Sequence, residues 1–212
     1  MKSIILNKMS FNWTEDEIAI FDSVKDDKDK AWKRAEVNQC KTRFKTFHLD
    51  GDNPKCCYCA KLFIGEFRMV IDIEHILPKS KYPDLTFNLN NLAIACKRCN
   101  MDVKKIRTDF LVNHPTAKED YFKSMSYKFI HPNIDNYNQN INIHRLSVNG
   151  KDYIKYFPLN DGKGKYTYEY FRLSEIEIDT FNQVQGGSNQ PSFNDRIRGN
   201  LRNRLLTIIG KI

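Results

Sequence analysis

The stretch DIEHILPKS, residues 72–80, concentrates Asp72, Glu74 and His75 inside a run otherwise suited to a β-strand. A neutral imidazole can take a proton from an attacking water, because its unperturbed pKa lies near physiological pH. Further along come Asn90 and Asn91, and then Asn100. Carboxylate and amide oxygens are the donors a hard divalent cation such as Mg²⁺ prefers. Together these residue types are the parts for metal-assisted hydrolysis of a phosphodiester. In an ideal strand, however, Asp72 and Glu74 share one face and His75 points to the other. Base and cation site therefore depend on a bend near Leu77-Pro78.

Two cysteine pairs bracket these residues, Cys56-x-x-Cys59 in CCYCA and Cys96-x-x-Cys99 in CKRCN. Each short knuckle presents two thiolates, and two knuckles complete a tetrahedral structural zinc site with metal–sulfur bonds of about 2.3 Å. The sequence between the pairs is longer than in the simplest zinc ribbons. The ion is thus expected to tie together the two ends of an insert that carries His75. Cys57 lacks the paired spacing, and Cys40 falls on an apolar helical stripe as a core residue. A redox reading of either pair needs a βαβ setting that the pattern here does not offer.

The elements that must position these groups can be read in outline. Thr14 with Glu17 three residues later forms a capping-box pattern that starts a helix. Val37, Cys40, Phe44 and Phe47 recur at helical spacing and predict a second helix. Its opposite side carries Lys41, Arg43 and Lys45, either as a solvated face or for phosphate contact. FRMVIDIEHIL reads as a strand, NNLAIAC as a second short strand, and CNMDVKKIRTDFL as a helix. From about residue 125, INIHRLSV and KDYIKYFPL predict strands joined at Asn149-Gly150, a pair that favours a tight hairpin. DGKGK (161–165) reads as a turn, since it lacks the remaining spacing of a phosphate loop. QVQGGSNQPS (183–192) reads as a linker. The last segment places Ile197, Leu201, Leu205, Ile208 and Ile212 on one helical face, with Arg196, Arg198, Arg202 and Arg204 mostly off it. The expected fold class is α+β, divided into residues 1–124, with a core at about 50–112, and an accessory β-rich segment with a terminal helix at 125–212.

At 212 residues the chain can bury one good core with an appended part. A formal charge of +8 favours a polyanionic partner without identifying it. The opening Ile4-Ile5-Leu6 run is too short for a signal peptide core, and no later apolar stretch approaches the roughly 18 residues of a membrane span. A cytoplasmic protein with no membrane partner is expected.

The sequence CCYC, then IEHILPKSKYP, NLNNLAIACKRCN and a following Lys-containing helix resembles the HNH, or ββα-metal, endonuclease family in its zinc-knuckled branch. The resemblance covers about 50–112. It implies that His75 is the general base and that Asn91, directly before Leu92, holds the His-bearing loop. It also implies that Glu74 and Asn100 hold the catalytic Mg²⁺ or Mn²⁺, while Cys56, Cys59, Cys96 and Cys99 hold structural zinc. Asn100 stands where many members carry a third histidine, and Glu74 replaces the more usual Asp. The phrasing EHILPKSKYP, with HPNIDNYNQNINIH downstream, is similar to the HNH nuclease subunits of Septu-type and retron-linked anti-phage defence systems, which act beside an ATPase partner. That narrower likeness implies antiviral defence.

Several alternatives stay open. Asp72 is either a second metal ligand or a strand-surface charge, and Asn88 or Asn90 could replace Asn91. Lys97, Arg98, Lys104, Lys105 and Arg107 cluster at the presumed active-site helix, for phosphate contact in DNA or as a solvated face. His48, His114, His131 and His144 lack comparable neighbours. A non-catalytic zinc-stabilised nucleic-acid-binding module, or an interaction subunit, remains the rival to an enzyme. Oligomeric state, nicking versus double-strand cleavage and DNA versus RNA preference have no signature in the sequence.

Overall fold

The computed structural model describes residues 11–112, 118–148 and 151–177. The expected linker, the C-terminal helix and His114 lie outside the described residues. The fold is α+β and divides into two units, Met1–Tyr137 and Asn138–Ile212. This boundary falls later than the change of residue character near 125, because Tyr127 and Phe129 pack with Phe110 of the first unit.

In the first unit, helix α1 (Glu15–Val24) starts at the capping box. The Glu17 N–H donates to Thr14 Oγ1 at 3.2 Å, and the Thr14 N–H donates to Glu17 Oε2 at 2.8 Å. Helix α2 (Asn38–Leu49) buries Cys40 and Phe44. Cys40 packs with Phe21, Val24, Ala31 and Val37, while Phe47 at the end of the stripe is exposed. The basic side of α2 is half-buried and engaged within the protein. Arg43 pairs with Glu17, Lys41 Nζ donates to the Trp32 carbonyl at 2.9 Å, and Lys45 Nζ donates to the carbonyls of Arg68 and Ile71.

Strands β1 (Ile71–His75) and β2 (Leu92–Cys96) form an antiparallel pair, with register running from Ile71 opposite Cys96 to His75 opposite Leu92. Every residue of β2 is buried. The chain then makes a π-helical segment, Arg98–Lys104, in which the Lys105 N–H donates to the Asn100 carbonyl at 2.8 Å. The sequence predicts a helix continuing to Leu111, and the structure shortens it. Lys105 takes φ 54°, which ends the turn, and Leu111 forms a β-bridge with Tyr127. Burying Phe110 and Leu111 against 127–129 outweighs their helical spacing.

In the second unit, β3 (Ile141–Val148) and β4 (Lys151–Pro158) are antiparallel, with Val148 opposite Lys151. The expected turn pair, Asn149 and Gly150, lies outside the described residues. DGKGK, expected as a turn, opens helix α3 (Lys163–Tyr170). Asn160 Oδ1 receives the N–H of Gly162 at 3.2 Å and of Gly164 at 3.1 Å, fixing the entry to the helix. A Cβ on Gly164 would lie 2.2 Å from the Asn140 carbonyl oxygen, so only glycine permits this approach. Among the described residues no helix is long and apolar enough to cross a membrane.

Candidate metal centre and nuclease site

The four paired cysteines converge. The Sγ atoms of Cys56, Cys59, Cys96 and Cys99 all lie within 4.8 Å of one another, and all four residues are buried. Cys59 and Cys96 approach to 3.8 Å. A regular tetrahedron with metal–sulfur bonds of about 2.3 Å has sulfur–sulfur edges of roughly 3.8 Å, so the donor set fits zinc. The first knuckle turns because the Ala60 N–H donates to the Cys56 carbonyl at 2.9 Å, with Ala60 at φ 53°. It joins β2 where the Cys57 N–H donates to the Ile94 carbonyl at 3.0 Å. Cys57 is outside the cluster and Cys40 lies in the helical core.

Asn91 holds the loop that leaves His75. Its Oδ1 accepts the Leu77 N–H at 2.7 Å, and its Nδ2 donates to the carbonyls of Leu77 at 3.0 Å and Leu85 at 3.2 Å. Asn88 instead caps the turn preceding β2, its Oδ1 accepting the Asn90 N–H. Asn90 is exposed. His75 ends β1 with only 8% of its surface exposed. Its Nε2 lies 3.0 Å from the Thr86 carbonyl oxygen, which can only accept. The ring therefore carries its proton on Nε2 and leaves the Nδ1 lone pair available. Burial, reinforced by the charge of Lys79, pushes the imidazole pKa down to about 3, so the ring is neutral at physiological pH.

The two carboxylates of β1 have different surroundings. Asn100 Nδ2 donates to Asp72 Oδ2 at 3.1 Å. Both residues line a cleft of about 410 Å³, together with Trp32, Lys41 and Lys45. Glu74 turns inward, 2% exposed, with its Oε1 2.7 Å from Lys104 Nζ and 2.9 Å from Tyr58 OH. Burial pushes its carboxyl above the usual carboxylate range, against the opposing pull of Lys104. The structure thus brings Asn100 to Asp72, while Glu74 meets Lys104 and Tyr58. His75 does not line the cleft, but Trp32 does, and its ring meets the imidazole edge-on with centroids 4.6 Å apart.

Lys104 requires a correction. The sequence grouped it with phosphate-contacting residues, yet it is 1% exposed, because the wider π-helical turn aims it inward. Of the others, Lys97, Lys105 and Arg107 are exposed and Arg98 is half-buried. Arg107 Nε donates to Asp109 Oδ1 at 3.1 Å. His131 is buried, and its backbone N–H donates to Asp135 Oδ2 at 2.7 Å.

Sequence reasoning missed four contributors. Trp32 and Thr86 touch the imidazole, Tyr58 touches Glu74, and Asn133 Nδ2 donates to the carbonyls of Asn90 at 3.0 Å and Leu92 at 2.9 Å. None had a local signal, except that Asn133 falls within the downstream segment HPNIDNYNQNINIH.

Comparisons with known proteins bear on the same segment. The chain is 29% identical over 129 residues to Septu protein PtuB of Bacillus thuringiensis, an alignment covering 61% of this chain and 40% of that protein. It therefore spans well under two thirds of that relative's length. No solved structure matches. Residues 56–105 match the model of the HNH endonuclease family, and this span runs from the first cysteine of the cluster through the hairpin to the end of the π-helical turn. Over residues 56–105, the cysteine-bracketed hairpin of this chain is thus similar to the HNH endonuclease family.

Proposed function

We propose that the chain is a metal-dependent HNH endonuclease that hydrolyses phosphodiester bonds in DNA, with His75 as general base. The observation that supports this most directly is how the imidazole is pinned. Its Nε2–H is committed to the Thr86 carbonyl, which leaves the lone pair on Nδ1 to accept a proton. Asn91 fixes the backbone immediately after it through Leu77. The residues that fit a hard divalent ion, Mg²⁺ or Mn²⁺, are Asp72 and Asn100, whose side chains meet in the cleft and offer a carboxylate and an amide oxygen as donor types. Such an ion supplies charge stabilisation for the phosphate and the leaving oxygen. Lys41 and Lys45 line the same cleft and hold the backbone electrostatically, while exposed Lys97, Lys105 and Arg107 with Arg98 extend the contact. Contacts of this kind favour duplex DNA with little base reading. The likeness to Septu-type systems supports a role in antiviral defence beside an ATPase partner.

The test is plasmid cleavage with Mg²⁺ and with Mn²⁺, each against EDTA, for wild type and His75→Ala. His75→Ala is expected to abolish cleavage with zinc content intact. Undiminished cleavage by that variant would remove His75 as the base. A second reading has a specific observation behind it: the imidazole is nearly buried and abuts Trp32 instead of lining the cleft. A subunit whose centre opens only within a complex has this property. The purified chain is then inert until the ATPase is supplied.

A further inference from the structure

The family resemblance gives Glu74 to the metal, and the structure gives it a different cation. Lys104 Nζ lies 2.7 Å from Glu74 Oε1, 2.9 Å from the His75 carbonyl oxygen and 3.5 Å from the Lys105 carbonyl oxygen. An ammonium has three donors, and here all three are directed at oxygens. The same Oε1 also receives the Tyr58 hydroxyl. Both charged residues are buried, so the carboxylate cannot draw on solvent for compensation.

The source of the arrangement is the π-helical turn. The bond from the Lys105 N–H to the Asn100 carbonyl spans five residues, which widens the turn. One turn then delivers an amide, Asn100, to Asp72 and an ammonium, Lys104, to Glu74.

We propose that Lys104 is a positioning residue that takes the place of a metal ion at Glu74 and clamps the His75 end of β1 through the His75 carbonyl. The inference rests on the nuclease reading for the role of His75, but its geometry stands without it. The two carboxylates of β1 divide their tasks. Glu74 with Tyr58 and Lys104 links the first knuckle, the strand and the turn after the second knuckle, and Asp72 is left for the divalent ion.

The experiment compares full-length wild type, Glu74→Gln, Lys104→Met and the double variant Glu74→Gln/Lys104→Met, each checked for zinc content. Lys104→Met alone leaves a buried carboxylate unpaired and loses thermal stability. The double variant replaces both charges and regains most of it. Three readouts follow. Mn²⁺ affinity, measured by electron paramagnetic resonance, stays within about threefold of wild type in Glu74→Gln and in the double variant, since the ion's donors are elsewhere. Nitrogen-correlated NMR of the His75 ring shows a single Nε2–H tautomer in wild type and a mixture in the double variant. Turnover in the double variant falls about tenfold to a hundredfold with KM little changed, the signature of a displaced base. A tenfold or greater loss of Mn²⁺ affinity in Glu74→Gln overturns the proposal, because Glu74 would then be the ion's ligand. Wild-type ring spectra and turnover in the double variant overturn it as well, leaving Lys104 a mere counter-charge. Absence of cleavage by wild type would count against the nuclease reading alone, with the affinity and ring spectra still deciding this one.

Discussion

The two hairpins of this chain solve the same problem by different means. Strands β3 and β4 pair over eight residues each and are two residues apart in sequence, so their register is local. Strands β1 and β2 pair over five residues and are separated by residues 76–91. So short a ladder closed by so long a loop is marginal by itself. What holds it is non-local: four sulfurs at one end, the Asn91 amide across the loop, Asn133 on the loop's last carbonyls, and the Glu74–Lys104 pair beneath. The hairpin that carries His75 and the second cysteine pair depends on its fastenings, whereas the accessory hairpin depends on its own backbone.

The sharpest way to break that contrast is to remove the metal. Chelation, or Cys96→Ser, is expected to withdraw zinc-linked folding energy on the order of 10 kcal/mol. Thermal unfolding followed by amide exchange should then show the β1–β2 protection lost and the β3–β4 protection retained. Simultaneous loss of both would show that the second hairpin also depends on the first. Asn91→Ala comes next. It leaves the Leu77 N–H and the Leu77 and Leu85 carbonyls without their side-chain partner in a buried site, a cost of about 3–5 kcal/mol in denaturant unfolding. A cost below about 1 kcal/mol would mean that the loop is held elsewhere.

On the other side of the comparison, Gly164→Ala forces a Cβ against the Asn140 carbonyl and should destabilise the second unit by about 1–3 kcal/mol. The first unit's zinc-dependent transition should not move. The most gradual effect, spread over several pH units, is in pH. The folded chain holds the His75 imidazole down at about 3, whereas an unfolded histidine titrates near 6.5. Between those values the unfolded chain binds the extra proton, so the group's contribution is fully present above about pH 6.5 and is lost as pH falls toward 3. The slope is about 1.4 kcal/mol per pH unit. Subtracting the profile of His75→Gln isolates it, and parallel profiles would show that the ring is not held neutral by burial.

Legibility in the sequence follows the range of each interaction. The capping box of Thr14 and Glu17 is a three-residue signal and forms as read. The β-prone segments INIHRLSV and KDYIKYFPL pair antiparallel, as their residue types suggest. The helix after Cys99 is shorter than its sequence pattern predicts, because periodicity does not register that burying Phe110 beside Phe129 favours extended chain. Helix α3 was missed because its first turn is made possible by Asn160 accepting from glycines that otherwise read only as turn formers. Lys104 looks like a surface cation in the sequence because nearby cations such as Lys105 and Arg107 are at the surface.

What the sequence determined by itself is the inventory and its punctuation: two spaced thiol pairs, an imidazole beside carboxylates, a cap, and a turn. These are properties of residue type and short spacing, and the chain writes them directly. Which carboxylate meets Asn100, which ring nitrogen keeps its proton, and which lysine turns inward were decided only by the tertiary structure. Each of those depends on groups distant in sequence, such as Thr86 on His75 and Lys104 on Glu74. Burial makes such pairings strong by removing water as the competing partner.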